Sequence, residues 1–159
     1  MKRWVARLAV GMAAMTAATV GVAAPAQAYP VTPYPNVCWQ KQSAGSPCYL
    51  WTNGTVTWYN RTASVAGAIA STYHFCYGHP FDRPEAVFEA YAGATKIDSH
   101  VVSIMCDTLF TFSDSFGFDP FGIGDTNLVG GINRIKITMC YKTSFGRSCG
   151  DPYNANKPS

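Results

Sequence analysis

The chain has 159 residues, of which 48% are hydrophobic, 14% aromatic and only 13% charged. Its 12 Lys and Arg exceed its 9 Asp and Glu by three, but Lys2, Arg3 and Arg7 all lie at the extreme N-terminus, so the rest of the chain is balanced. The remaining basic residues, Lys41, Arg61, Lys96, Arg134 and Lys142 among them, stand between neutral neighbours, and a chain without a clustered positive field is not expected to bind nucleic acid.

The basic start runs into an apolar stretch at 8–24 and then into Ala26-Gln27-Ala28, a small-x-small cleavage site before Tyr29. Residues 1–28 are therefore predicted to be a secretory signal peptide. A membrane anchor is the weaker reading, because the stretch is rich in Ala, Gly and Thr and barely long enough to span a bilayer. No later stretch is apolar enough to span, so the mature protein is expected outside the cell, and the Ala-rich signal points to a bacterial source. The chain beyond residue 28 suffices for one domain with a hydrophobic core, not two.

Residues 29–37 hold three prolines, which fix φ and remove amide donors, and predict an extended arm ahead of the domain. The arm reads either as a frayed terminus or as a preformed segment that docks on a partner. Beyond it, Asn53-Gly54 is a hairpin-turn signal with a β-prone run, Thr55-Val56-Thr57-Trp58-Tyr59, behind it. Strict alternation over 71–77 predicts a strand. At 83–92 two readings compete. Asp82 with Glu85 forms a capping box, Pro84 sits in the first turn and Gly93 could end a short helix, whereas Ala86 to Tyr91 followed by Ala92-Gly93 and Thr95-Lys96-Ile97 reads as a hairpin. Strands are expected again at 100–106, 109–112 and most clearly at 132–142, where Ile135, Ile137, Met139 and Tyr141 alternate with Arg134, Lys136, Thr138 and Lys142. Residues 151–159 are polar, contain two prolines and are predicted to be a flexible tail.

All six cysteines, Cys38, Cys48, Cys76, Cys106, Cys140 and Cys149, lie beyond the cleavage site, which in an exported chain predicts three disulfides. Short Gly- or Pro-containing loops favour Cys38–Cys48 and Cys140–Cys149, leaving Cys76–Cys106. No C-x-x-C pair is present, so zinc is not expected. Short strands separated by turns, aromatic and β-branched residues throughout, and a disulfide framework predict an all-β domain over 38–150. An antiparallel sandwich or barrel is expected, with the short helix near 83–92 as its one possible exception.

Three motifs invite a chemical reading. Gly146-Arg147-Ser148-Cys149-Gly150 matches G-x-S-x-G, yet His74, His79 and His100 all precede the serine, the wrong order for a nucleophile elbow. Glu85 and Glu89 would share a helix face, whereas glycosidase carboxylates flank a substrate from opposite sides. Asp114, Asp119 and Asp125 carry hard oxygen ligands at spacings unlike a calcium loop. No catalytic residue, metal or cofactor is expected. The segment 107–131, with Phe116, Phe118 and Phe121 among glycines and aspartates, reads either as a loop that folds back to cap the core or as an exposed aromatic anchor for a partner.

The bacterial-type signal, the Pro-rich arm, the six cysteines and one β domain without catalytic groups resemble the small secreted adaptor subunits of bacterial umbrella toxin particles. The resemblance is architectural, spans the mature chain and rests on no diagnostic motif. It implies a subunit without activity of its own that joins a lectin-like subunit to a large stalk-bearing polypeptide, with the arm and the aromatic loop as joining surfaces. The expectation is thus a secreted, non-enzymatic protein-binding module, with Tyr29, Pro30, Pro33, Tyr34, Pro35, Phe116, Phe118 and Phe121 as candidate partner contacts. Two alternatives remain: an inhibitor of an extracellular hydrolase acting through the loop at 43–48, and a small carbohydrate-binding domain with Trp39, Trp51 or Trp58 as platform.

Overall fold

A strand whose alternate side chains are apolar can bury one face only by packing it against another such face, and two sheets of such strands make up the described part of this chain. The computed structural model describes residues 29–40, 48–72, 82–105 and 115–159. Its strands are β1 (Val31–Cys38), β2 (Leu50–Trp58), β3 (Thr62–Ser71), β4 (Arg83–Ala92), β5 (Thr95–Ser103), β6 (Ser115–Gly124), β7 (Arg134–Thr143), β8 (Gly146–Cys149) and β9 (Tyr153–Asn156). They form two antiparallel sheets, one in the order β1-β2-β3-β6 and one in the order β5-β4-β7-β8, with β9 also paired to β7. Among the described residues the sheets do not close into a barrel.

The core lies between the two inner faces. Leu50, Val56, Trp58, Val65 and Ile69 of the first sheet meet Ala86, Phe88, Ala90, Ile135, Ile137 and Met139 of the second, all of them fully buried. Each large side chain of this set contributes about 1.5–3 kcal/mol by leaving water. The alternation read at 132–142 is the alternation of β7, with its isoleucines inward and Arg134, Lys136, Thr138 and Lys142 outward.

Several expectations are corrected. Residues 83–92 form no helix but the central strand β4, and the hairpin reading holds, with β4 turning at Gly93 and Ala94 into β5. The capping box is outweighed because Ala86, Phe88 and Ala90 repeat every second residue and fill the core between two partner strands. Asn53-Gly54 makes no turn, since β2 runs straight through it. Gly54 pairs with Gly67 of β3, and a Cβ added at Gly67 would lie 2.1 Å from the Asn53 carbonyl oxygen and 2.5 Å from the Tyr34 hydroxyl. Here glycine marks close approach of backbones and of a ring.

The Pro-rich segment is extended, as expected, but is no free arm: β1 pairs with β2 and buries Tyr34 and Val37. Its prolines stand on a sheet edge, where a missing N–H leaves no ladder bond unmade. The polar C-terminus is likewise held. β9 pairs with β7, Ala155 is fully buried, and Lys157 Nζ donates to the Tyr59 carbonyl at 2.7 Å.

Part of 107–131, expected to be a loop, becomes the edge strand β6, paired only to β3 within its sheet. The two edges β5 and β6 meet where Asp98 Oδ2 accepts the Gly124 N–H at 2.9 Å and His100 stacks on Phe121 at 3.9 Å. Two expected disulfides are present, Cys38–Cys48 and Cys140–Cys149. The signal segment, Cys76, Cys106, the strand at 109–112 and most of the strand at 71–77 lie outside the described residues, as does most of the loop at 43–48.

Candidate functional site

The two disulfides among the described residues stand at one end of the sandwich, and they shape it. Cys38–Cys48 ties the end of β1 to the approach to β2, where Trp39 N–H donates to the Leu50 carbonyl at 2.9 Å and Tyr49 N–H to the Gln40 carbonyl at 3.2 Å. Cys140–Cys149 joins directly opposed residues of β7 and β8. Gly150 brings these braces together: its N–H donates to the Met139 carbonyl at 3.0 Å, and a Cβ there would lie 2.0 Å from the Cys38 carbonyl oxygen. Any other residue would push the end of β1 away.

The β7–β8 hairpin turns at Ser144 and Phe145. Its tip is held locally, the Thr143 hydroxyl oxygen accepting the Phe145 N–H at 3.1 Å and donating to the Gly146 carbonyl at 3.3 Å. On this braced tip Phe145 is 100% exposed. Beside it opens a groove of about 470 Å³ lined by Trp39, Tyr141, Thr143, Phe145, Arg147 and Ser148. The Trp39 and Tyr141 rings lie 5.3 Å apart at a tilt of 45°. The Tyr141 hydroxyl donates to Asp82 Oδ2 at 3.2 Å; burial first, and then the Asp82 carboxylate, push its pKa up to about 12. The groove thus offers three aromatic rings, one of them bearing a neutral phenol, and the guanidinium of Arg147.

The predicted contacts scatter around the fold. Tyr34 is buried, its ring 6.3 Å from Phe88 in an edge-on contact, and so is not open to a partner. Phe118 and Phe121 turn inward and pack on Phe88 at 5.8 and 5.2 Å, which is the core-capping reading of their segment. Phe116, 49% exposed, remains at the β6 edge. Tyr29, Pro30, Pro33 and Pro35 are exposed or half-exposed, with Tyr29 set edge-on against Tyr59 at 4.6 Å.

Of the three tryptophans expected as a platform, Trp58 is fully buried and donates through Nε1 to the Thr32 hydroxyl at 2.9 Å, while Trp39 and Trp51 are half-buried. Ser148 lies on the short strand β8 rather than at a strand-to-helix turn, so the G-x-S-x-G match has no elbow geometry.

Phe145 is not among the contacts expected from the sequence. The signal that could have found it is an aromatic residue within Thr143-Ser144-Phe145-Gly146, midway between two cysteines nine positions apart, where a hairpin tip is ordinarily polar. No family model, no curated protein and no solved structure matches this chain.

Proposed function

We propose that the chain is an exported protein-binding module without catalytic activity, engaging its partner through the disulfide-braced end of the sandwich. The observation that carries this reading is Phe145, fully exposed on a pinned hairpin tip beside the Trp39–Tyr141 groove. A phenylalanine left in water forgoes about 1.5–3 kcal/mol that burial would return. The brace lowers the entropy lost on docking, and Phe145, Tyr141, Trp39 and Arg147 are of the residue classes that dominate interface energetics. An adaptor subunit of an exported assembly is one form such a module can take. A saccharide-binding role is the second reading, favoured by the aromatic groove with Thr143, Arg147 and Ser148 on its rim.

The test compares oxidised wild type with Phe145→Ala and Phe145→Asp in affinity capture from the source culture medium, each variant first verified as folded by near-ultraviolet circular dichroism. Wild type should recover other exported proteins in fixed ratio, and both variants should lose them, Phe145→Ala by about thirtyfold in affinity if it acts as a hot spot. Equal recovery with Phe145→Asp overturns the assignment. Binding of a glycan panel with no captured protein transfers it to the saccharide reading.

A further inference from the structure

We infer that the outer face of the second sheet docks an acidic protein segment, making it the electrostatic half of the surface whose apolar half is the Phe145 groove. This partner class rests on the protein-binding reading above. The cations that stand apart along the chain are brought together by pairing. Arg83 of β4 lies opposite Lys142 of β7, and Lys142 lies opposite Arg147 of β8, which places three cations in one row across three strands. Further along the same face come Lys136, Arg134 and Lys96. Against these six stand two carboxylates, Glu85 and Glu89 of β4. The third acid of these strands, Asp98 of β5, pairs with the inward Ala90 and is turned to the Gly124 N–H of β6.

Each of the two carboxylates is held between two cations. Glu85 takes Arg83 and Arg147, both at 2.9 Å, and Glu89 takes Lys136 at 3.0 Å and Lys96 at 3.2 Å. Burial alone would raise the Glu89 carboxyl, but the two lysines outweigh it and hold its pKa below the usual carboxylate range. Arg134 lies over the Tyr91 ring at 4.4 Å, and among the described residues neither it nor Lys142 has a carboxylate partner. The face therefore keeps a surplus of positive charge with its cationic heads already positioned.

Glu85 offsets only part of this row, and Lys142, set between Arg83 and Arg147 with no carboxylate partner among the described residues, stands in like charge that stability alone does not account for. Counter-charge from a partner would relieve it. A groove of about 340 Å³ crosses this face, with Val87, Thr138 and Pro152 among its lining and Lys136 and Arg147 as its cations. Arg147 also lines the Phe145 groove, so the two share this residue. Dense polyanions such as nucleic acid would meet Glu89 and leave the apolar lining unused. An acidic polypeptide, with carboxylates spaced along an extended chain and side chains between them, fits both.

The test titrates the mature, oxidised protein with a labelled peptide of about ten residues alternating Glu and Ala, long enough to cross the face. A Gln-Ala peptide, duplex DNA and dextran sulfate serve as comparisons. The Glu-Ala peptide should bind, weakening about tenfold or more as NaCl rises from about 20 to about 200 mM. Lys142→Glu combined with Lys136→Gln should lose about tenfold or more at low salt. Lys142→Thr, which breaks the like-charge row and should raise the Tm by about 1–3 °C, supplies a folded variant that also binds more weakly.

Equal binding of the Gln-Ala peptide, unaltered binding by the Lys142 variants, or preference for DNA or dextran sulfate overturns the inference. None of these results touches the Phe145 reading, which is decided by capture of exported proteins.

Discussion

Tyr34 shows how one side chain can serve packing at the expense of its own polar group. Its ring crosses the inner face of the first sheet, with the hydroxyl close above Gly67, where no side chain competes for the space. That hydroxyl is buried with no aligned hydrogen-bond partner among the described residues, while Thr52 Oγ1 donates to the Ala68 carbonyl at 2.9 Å. Burial pushes the phenol up to about 12, with the Thr52 hydroxyl pulling the other way by less. A buried unpartnered hydroxyl costs about 1–3 kcal/mol, partly offset here by the contact it makes over Gly67. Tyr34→Phe is therefore expected to stabilise the domain by about 0.5–1 kcal/mol, measured by urea unfolding with an unchanged m-value. A loss of stability of that size would mean that the hydroxyl is hydrogen-bonded after all. From the sequence Tyr34 reads as a contact on an exposed arm; nothing in a Pro-rich stretch tells which alternate residue a sheet edge will turn inward.

At the scale of the element, β7 is the most legible part of the fold, whereas its hairpin partner β8 is not read from the sequence although signals for it are present. The alternation of β7, the short spacing of Cys140 and Cys149 and the glycine after the turn all agree with one geometry. β4 is less legible because local and tertiary preferences conflict there: Glu85 and Glu89 suit a helix face, and only two flanking strands make the period of two decisive. β2 hides its continuity for a related reason, since Asn53-Gly54 is a turn signal in isolation and a close-approach site when Gly67 lies opposite. The hairpin also carries a prediction of its own. In the chain-entropy account, a crosslink closing nine residues stabilises by about 2.5 kcal/mol, so Cys140→Ser combined with Cys149→Ser should cost about that much in chemical denaturation. Under native conditions the same variant should retain its far-ultraviolet spectrum yet bind its partner more weakly, because Phe145 then docks from a looser tip. Binding unchanged in a folded variant without this disulfide would separate Phe145 from the brace.

At the scale of the molecule, what the sequence conceals is the separation of charge. The strands β1, β2 and β3 contain no Asp, Glu, Lys or Arg, whereas β4, β5, β7 and β8 contain six Lys and Arg. Along the chain these cations sit apart and the overall balance is near neutral, so no run of basic residues announces a surface. The side-chain period of two sends them to the same face, and antiparallel pairing then sets them side by side. Such a face is under self-repulsion that dissolved salt screens within about 8–10 Å near physiological ionic strength. Lys142→Thr removes the middle cation of the row and so gains stability in two ways: relief of repulsion, which salt abolishes, and the better strand propensity of threonine, which salt leaves alone. The gain over wild type, about 0.5–1 kcal/mol at low ionic strength, should fall by half or more when NaCl reaches about 300 mM. Thermal unfolding of both proteins across that range measures the difference directly, with general salt effects common to the pair. A gain that holds constant with salt would assign the whole of it to strand propensity, and the row of three cations would then carry no stored repulsion for an acidic partner to relieve.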